Sequence, residues 1–199
     1  MKLMTSIVLT AVALVGLPLC AVAAPTANAG MASHCRADEF AYLNAAMKTT
    51  QRRKDGGYDM SPTGKVLSIC ADRQAEPLRA LAYRYGRIGT VEFERVATPA
   101  GKFTIFDRTD TPHSGSNIVF FKVGNNTFCI MEATAQGSGV SLSVLRSGRV
   151  ALDLFSGNER GVDFESGLFD IDFSQAKSPI FSHYDGDPDK TPCDAASGK

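Results

Sequence analysis

Three histidines and five cysteines carry most of the chemistry that this 199-residue chain can offer. The histidines are His34, His113 and His183, and Cys35 directly follows the first of them. A thiol and its base must be aligned for proton transfer, and chain neighbours seldom are, so the pair does not by itself read as a nucleophile. No G-x-S-x-G elbow, H-E-x-x-H helix, phosphate loop or G-x-G-x-x-G turn after a strand occurs. A catalytic site would have to be assembled from scattered residues, with His113 or His183 as base. Asp185-Gly186-Asp187-Pro188-Asp189 places three carboxylates at alternate positions, as a calcium loop begins. Such a loop needs Gly at its sixth position and Glu at its twelfth, where this chain has Lys190 and Ala196. The stretch therefore reads as an acidic surface turn, with Asp185, Asp187 and Asp189 the only candidate metal ligands, and neither metal nor cofactor is expected. Asp170 and Asp172 alternate with Ile171 and Phe173 and read as the wet face of a strand, not as a catalytic pair.

The meaning of the cysteines depends on the first 24 residues. Lys2, an apolar run from Ile7 to Val22 and the small residues Ala21-Val22-Ala23 follow the three-part plan of a secretory signal peptide. The expectation is that residues 1–24 are removed and that residues 25–199 form one secreted β domain, periplasmic or released. Leu19 and Pro18 precede Cys20, which is not the small-residue context of a lipid anchor, and no later run is long enough to span a membrane. Loss of Cys20 leaves Cys35, Cys70, Cys129 and Cys193, an even set in an oxidising compartment. Four cysteines allow three connectivities. The favoured one joins Cys35 to Cys70 and Cys129 to Cys193; pairing of Cys35 with Cys193 is the alternative. The counts of 21 basic and 21 acidic residues give a near-neutral chain, without the overall footprint of a nucleic-acid or anionic-membrane binder.

These groups need a scaffold. Phe40, Leu43, Ala46 and Met47 fall at spacings of three and four behind Ser33 and Asp38, which predicts a short amphipathic helix from Ser33 to about Lys48. Thr49 to Lys65 is polar and rich in turn residues, and reads as a loop. Thereafter short apolar runs recur every 8 to 12 residues, the pattern of an antiparallel all-β chain. Candidate strands are 66–71, 78–85, 90–96, 103–106, 117–123, 127–133, 140–145, 149–155 and 168–173. Eight or nine strands imply a single antiparallel barrel or sandwich, so the expected class is mainly β with one N-terminal helix and two disulfides. Two hairpins have a predicted register. A two-residue turn at Asn125-Asn126 would set Phe121 against Ile130 and Val123 against Phe128. A three-residue loop of Arg146, Ser147 and Gly148 would set Leu142 against Leu152 and Val144 against Val150, keeping both apolar sets on one face. The first hairpin is apolar on both faces, which places it inside the structure and not at an edge.

The most distinctive run is Tyr83-Arg84-Tyr85-Gly86-Arg87-Ile88-Gly89-Thr90-Val91-Glu92. Two aromatics and two arginines beside a glycine-bounded turn form a candidate recognition edge, because Tyr and Arg are favoured at binding hot spots. With Ser68-Ile69-Cys70 before it and Ile118-Val119-Phe120-Phe121-Lys122-Val123-Gly124 after it, this run resembles a family of small exported proteobacterial β-rich proteins of largely uncharacterised function. The resemblance covers roughly residues 66–155 and implies a secreted β domain without naming an activity. Ser114-Gly115-Ser116-Asn117-Ile118, preceded by His113, is also similar to the S-G-x-x-Y loop that periplasmic lysozyme inhibitors insert into their enzyme, with Ile118 in place of the tyrosine. The expected function is that of an exported protein that binds another protein, such as a cell-wall hydrolase that it inhibits or a delivered toxin that it neutralises. The expected contacts are Tyr83, Arg84, Tyr85, Arg87, His113, Ser114 and Ser116. A secreted enzyme and a small-ligand-binding envelope protein are the alternatives.

Overall fold

The segment expected as a helix is a strand. In the computed structural model, which describes residues 31–74, 76–111, 114–134, 138–158, 164–173, 176–187 and 190–194, the first strand, β1, runs Phe40–Arg52. Tyr42, Leu43, Asn44, Ala45 and Met47 are all buried, so the strand has apolar neighbours on both sides and loses the period of two. A bulge between Ala41 and Leu43 shifts the pattern by one more residue. Helical spacing of Phe40, Leu43, Ala46 and Met47 is thus the by-product of a bulged, doubly covered strand. The expected loop after it is a hairpin: β2 spans Tyr58–Ala71, and Arg53 to Gly57 close the turn through the Arg53 N–H to Gly57 carbonyl bond of 2.8 Å. Pro62, Thr63 and Gly64 mark a second register shift, where Met47 pairs with Lys65 but Lys48 with Pro62. Proline fits a strand at such an irregularity because it has no ladder N–H to lose.

The remaining strands are β3 (Leu81–Arg87), β4 (Thr90–Ala97), β5 (Phe103–Thr111), β6 (Ser114–Val123), β7 (Asn126–Thr134), β8 (Ser138–Arg146), β9 (Arg149–Asn158), β10 (Phe164–Ser166) and β11 (Phe181–His183). All eleven belong to one sheet in the order β11-β5-β6-β7-β8-β9-β1-β2-β3-β4, with β10 pairing beside that path with β1. β11 pairs parallel with β5, and the other ladders are antiparallel. The sheet is open, which corrects the expected barrel or sandwich of eight or nine strands, and the described residues hold no α-helix. Residues 168–173, expected as a strand, form a 3-10 turn at Leu168–Asp170 followed by Ile171 and Phe173, whose side chains plug the core.

The sheet curls so that β3 and β4 at one end lie over β6 and β7. Phe103 on β5 stacks on Phe121 of β6 at 4.5 Å, Phe121 on Phe128 of β7 at 5.1 Å, and Phe128 on Phe93 of β4 at 4.6 Å. Because β4 lies six places from β7 in the strand order, this contact bridges the interior of the roll. Tyr83 of β3 meets Phe121, Phe93 and Phe128 edge-on at 5.3, 5.7 and 6.0 Å. Rings so arranged add about 0.5–1.5 kcal/mol per pair beyond their burial. The β6–β7 hairpin is apolar on both faces, as expected: Val119, Phe121 and Ile130 join the main core, while Ile118, Phe120 and Cys129 join a second cluster on the outer face.

Both predicted registers move, yet both keep their faces. In β6–β7 the turn is Gly124-Asn125 with Gly124 at φ +57°, and Phe121 pairs with Phe128. In β8–β9 the turn is the two-residue Ser147-Gly148, with φ of +50° and +77°. A two-residue turn alone would have put Asp153 opposite Leu142, but a bulge between Val144 and Leu145 pairs Leu142 with Leu154 instead.

Candidate functional site: two strapped faces, a free edge and a hairpin margin

A sheet that rolls its inner face into a core leaves an outer face to cover, and each end of the described chain covers part of it. Residues 33–39 lie across β2 and β3. The His34 N–H donates to Ser68 Oγ at 3.0 Å, the His34 ring Nε2 meets the Gly86 carbonyl at 3.0 Å, and Cys35 is bonded to Cys70. Arg84 clamps this strap. Its guanidinium donates to both Glu39 oxygens at 2.5 and 2.8 Å, to Glu94 Oε1 at 2.8 Å and to the His34 carbonyl at 3.2 Å, with only 3 % of the residue exposed. Burial pushes the Glu39 carboxyl up, but the Arg84 hydrogen bonds, the Arg36 N–H and the two positive charges outweigh it and hold the group below its ordinary value. The pairing Cys35–Cys70 is the expected one, although it ties an irregular strap, not a helix, to the strand.

The C-terminal stretch covers β5 to β7 by the same device. Cys193 is bonded to Cys129, Arg108 reaches Asp194 at 3.3 Å, and the Tyr184 ring packs edge-on against Phe106 and Phe120 at 5.6 and 5.8 Å. A cleft of about 170 Å³ opens beside the disulfide, between Met131, Ser143, Asp153 and Asp194. Asp187 ion-pairs with Lys190 at 3.0 Å and its carbonyl accepts the Lys190 N–H; Pro188 and Asp189 lie outside the described residues. Among the described residues the one cluster with three metal-type donors is Cys35, Glu39 and Cys70, in which the two sulfurs are bonded to each other.

The expected contact residues are dispersed. Tyr83 is 1 % exposed in the core, and Arg84 is buried on the opposite face, so neither presents a recognition edge. Tyr85 is half-buried, with Lys65 Nζ 5.4 Å from its ring centroid, and burial raises its phenol. Arg87 is exposed at the β3–β4 turn. Ser114 and Ser116 are not on a projecting loop: both belong to β6, Ser116 is 5 % exposed, and they sit at the end of that strand away from its hairpin turn. Ser114 and Ser116 on β6 thus lie six places along the strand order from Arg84 and Arg87 on β3. His113 lies outside the described residues, and His183 Nε2 meets the Ala176 carbonyl at 3.0 Å.

Two surfaces went unread in the sequence. The first is β4, which ends the sheet; beside it a cleft of about 390 Å³ has Cys70, Ala82 and Val96 in its floor and Arg36, Asp38, Asp72 and Glu94 around it. The second is the margin formed by the β1–β2, β3–β4, β6–β7 and β8–β9 turns, which belong to consecutive strands. Ser147 N–H donates to the Asn125 carbonyl at 3.0 Å and joins two of these turns. Among the described residues, five of the six exposed large apolar side chains lie there: Tyr58, Met60, Ile88, Val91 and Val150, the sixth being Phe169.

Comparison with known families, characterised proteins and solved structures found no match. Function must therefore be argued from these surfaces alone.

Proposed function

We propose that the chain is an exported protein-binding protein that captures an extended segment of its partner along β4. The observation that carries this reading is the edge itself: β4 runs for eight residues, Thr90–Ala97, and ends the strand order. A terminal strand offers a row of backbone N–H and C=O groups to an incoming strand, and alternate side chains of that strand give selectivity. Here the alternate positions would lie over the cleft between Ala82 and Val96, with Asp38 and Arg36 at its mouth. The two disulfides support an oxidising compartment, where the partner would be a cell-wall hydrolase held inactive or a delivered toxin neutralised.

The edge is charged but internally balanced. Glu94 is held by Arg84 and by Arg36 at 3.7 Å, and Glu92 by Lys65 at 2.5 Å. Such charges discourage edge-to-edge self-association while leaving the backbone open.

The test is site-specific photocrosslinking. Photoreactive residues at the exposed positions Thr90 and Arg95 should give one partner adduct in an envelope extract, and the same probe at Lys102 or Arg149 should not. The captured protein, purified, should bind and, where it is a hydrolase, lose activity. Crosslinks that fall equally on all four positions, or none at any, would overturn the reading.

A further inference from the structure

We infer that the hairpin-turn margin is a docking surface for an anionic phospholipid membrane, separate from the β4 edge. The chain is neutral as a whole, with 21 basic and 21 acidic residues, but the fold segregates the charges. Arg52, Lys54, Arg87, Lys122, Arg146 and Arg149 are all exposed at or next to the four turns. Carboxylates on this margin are already held: Asp55 and Asp59 pair with Arg53 at 3.2 and 3.4 Å, and Glu92 pairs with Lys65. The opposing acids collect elsewhere, at Glu165, Asp170 and Asp172 and in the tail at Asp185, Asp187 and Asp194.

Charge alone would fit any polyanion. What selects a lipid surface is the coincidence of the cations with exposed apolar groups on the same turns. Tyr58 is 57 % exposed and Ile88 52 %, at the β1–β2 and β3–β4 turns, and Val150 is 46 % exposed beside Arg149. Single exposed apolar residues scattered over a surface mean nothing, but five of six on one margin is not a scatter. Aliphatic and aromatic tips enter the headgroup–acyl boundary while arginines and lysines meet the phosphates, each cation near the surface strengthening binding about five-fold. A folded nucleic-acid site would want base-stacking rings and a groove, whereas these side chains project from turns.

The chain holds no tryptophan, so a single introduced one reports insertion without background. Ile88→Trp protein with both disulfides formed is mixed with vesicles of phosphatidylcholine alone or with about 30 % phosphatidylglycerol. Emission should shift to the blue and the protein should float with the anionic vesicles only, and molar salt should release much of it. Replacing Arg146 and Arg149 together by Ala should weaken vesicle binding roughly thirty-fold, and Ile88→Asp should abolish flotation, while Phe169→Asp leaves it unchanged. Thermal melts confirm that each variant is folded. Equal binding to neutral vesicles, no binding at low salt, or indifference to both margin variants would overturn the inference. So would loss of a captured acidic protein in those variants without any vesicle binding. Crosslinking at β4 is read separately, so failure here leaves the partner-capture reading standing, and the reverse.

Discussion

Replacing Arg84 by Met tests the clamp on which the N-terminal strap depends. The side chain of Arg84 is 4 % exposed and that of its main partner Glu39 15 %, so removal of the guanidinium leaves a largely buried carboxylate held only by the Arg36 N–H at 2.7 Å and the more distant Arg36 charge. Breaking such a buried pair from one side costs about 3–5 kcal/mol. The contact to Glu94 adds little, since that side chain is 37 % exposed and water screens it. Cys35–Cys70 still tethers the strap, so the cost falls on the charge and not on chain ordering. For a chain of this size a loss of that magnitude lowers the melting temperature by roughly 10 °C.

The pH dependence separates this account from simple loss of packing. In the wild type the Glu39 carboxyl lies below its ordinary value, so its stabilising contribution is present above the unfolded pKa, near 4.3, and is lost as pH falls through the lowered folded value. In Arg84→Met burial is opposed only by the Arg36 N–H and charge, so the folded value rises relative to the wild type; the variant loses most at neutral pH and less on acidification. Melting curves by circular dichroism near pH 7 and at about pH 3.5 should therefore show the difference between the two proteins shrinking in acid. The double variant Arg84→Met with Glu39→Gln should regain more than about 1 kcal/mol over the single one near pH 7. A single-variant loss below about 1 kcal/mol, or one equally large in acid, would refute the reasoning.

Gly86→Ala should destabilise by at least about 1–3 kcal/mol in a denaturant titration, because an added Cβ would lie 2.3 Å from the Thr90 carbonyl oxygen and 2.7 Å from the Glu92 nitrogen, both backbone atoms. Removing the Cys129–Cys193 bridge by paired Ser substitutions, across 64 residues, should cost about 4 kcal/mol and expose the tail to cleavage after Lys190 in limited proteolysis. The Tyr83 phenol is raised, chiefly by burial and then by Tyr85, so it should stay protonated in the folded protein as pH climbs. Its unfolded form ionises near pH 10, so stability is intact below that and declines above it, and ultraviolet titration should show this phenolate appearing only with unfolding.

How much of this was legible depended on what each residue's neighbours were doing. Strands whose apolar residues alternate with polar ones announced themselves, as Val140, Leu142 and Val144 did between Ser141 and Ser143. β1 did not, because β2, β9 and β10 pair with it and both its faces are covered, and no local pattern carries that information. The disulfides were legible as a favoured pairing because the expected loss of Cys20 leaves an even count of four, which allows only three connectivities. The β8–β9 turn was misplaced because a bulge costs one residue and leaves no mark in composition, and the β6–β7 turn because Gly124 takes the positive φ expected at Asn126. The Tyr83-Arg84-Tyr85-Gly86 run, singled out as a candidate recognition edge, has a structural role at each position. Tyr83 completes the ring cluster, Arg84 holds the strap, Tyr85 lies under Lys65, and Gly86 permits the close approach of β4 and faces the His34 ring. A distinctive motif can be distinctive because the fold needs it.

That lesson narrows where function can lie among the described residues. The inner face of the sheet is core, and its outer face is crossed by residues 33–39 over β2 and β3 and by the tail over β5 to β7, each pinned by one disulfide and one arginine–carboxylate pair. A disulfide fixes a point but allows rotation about it; a guanidinium pair a few residues away fixes the direction, so the two together make a strap rigid. A rigid strap does not swing aside to uncover the face beneath it. Of what the straps do not cover, the β4 backbone edge and the turns where strands reverse stand apart from the outer side of β9, whose exposed residues beyond the turn are Ala151 and Asp153. The exposed apolar side chains gather on those turns, and the longest terminal strand is that edge, so the surfaces the architecture leaves open are also those whose composition suits contact.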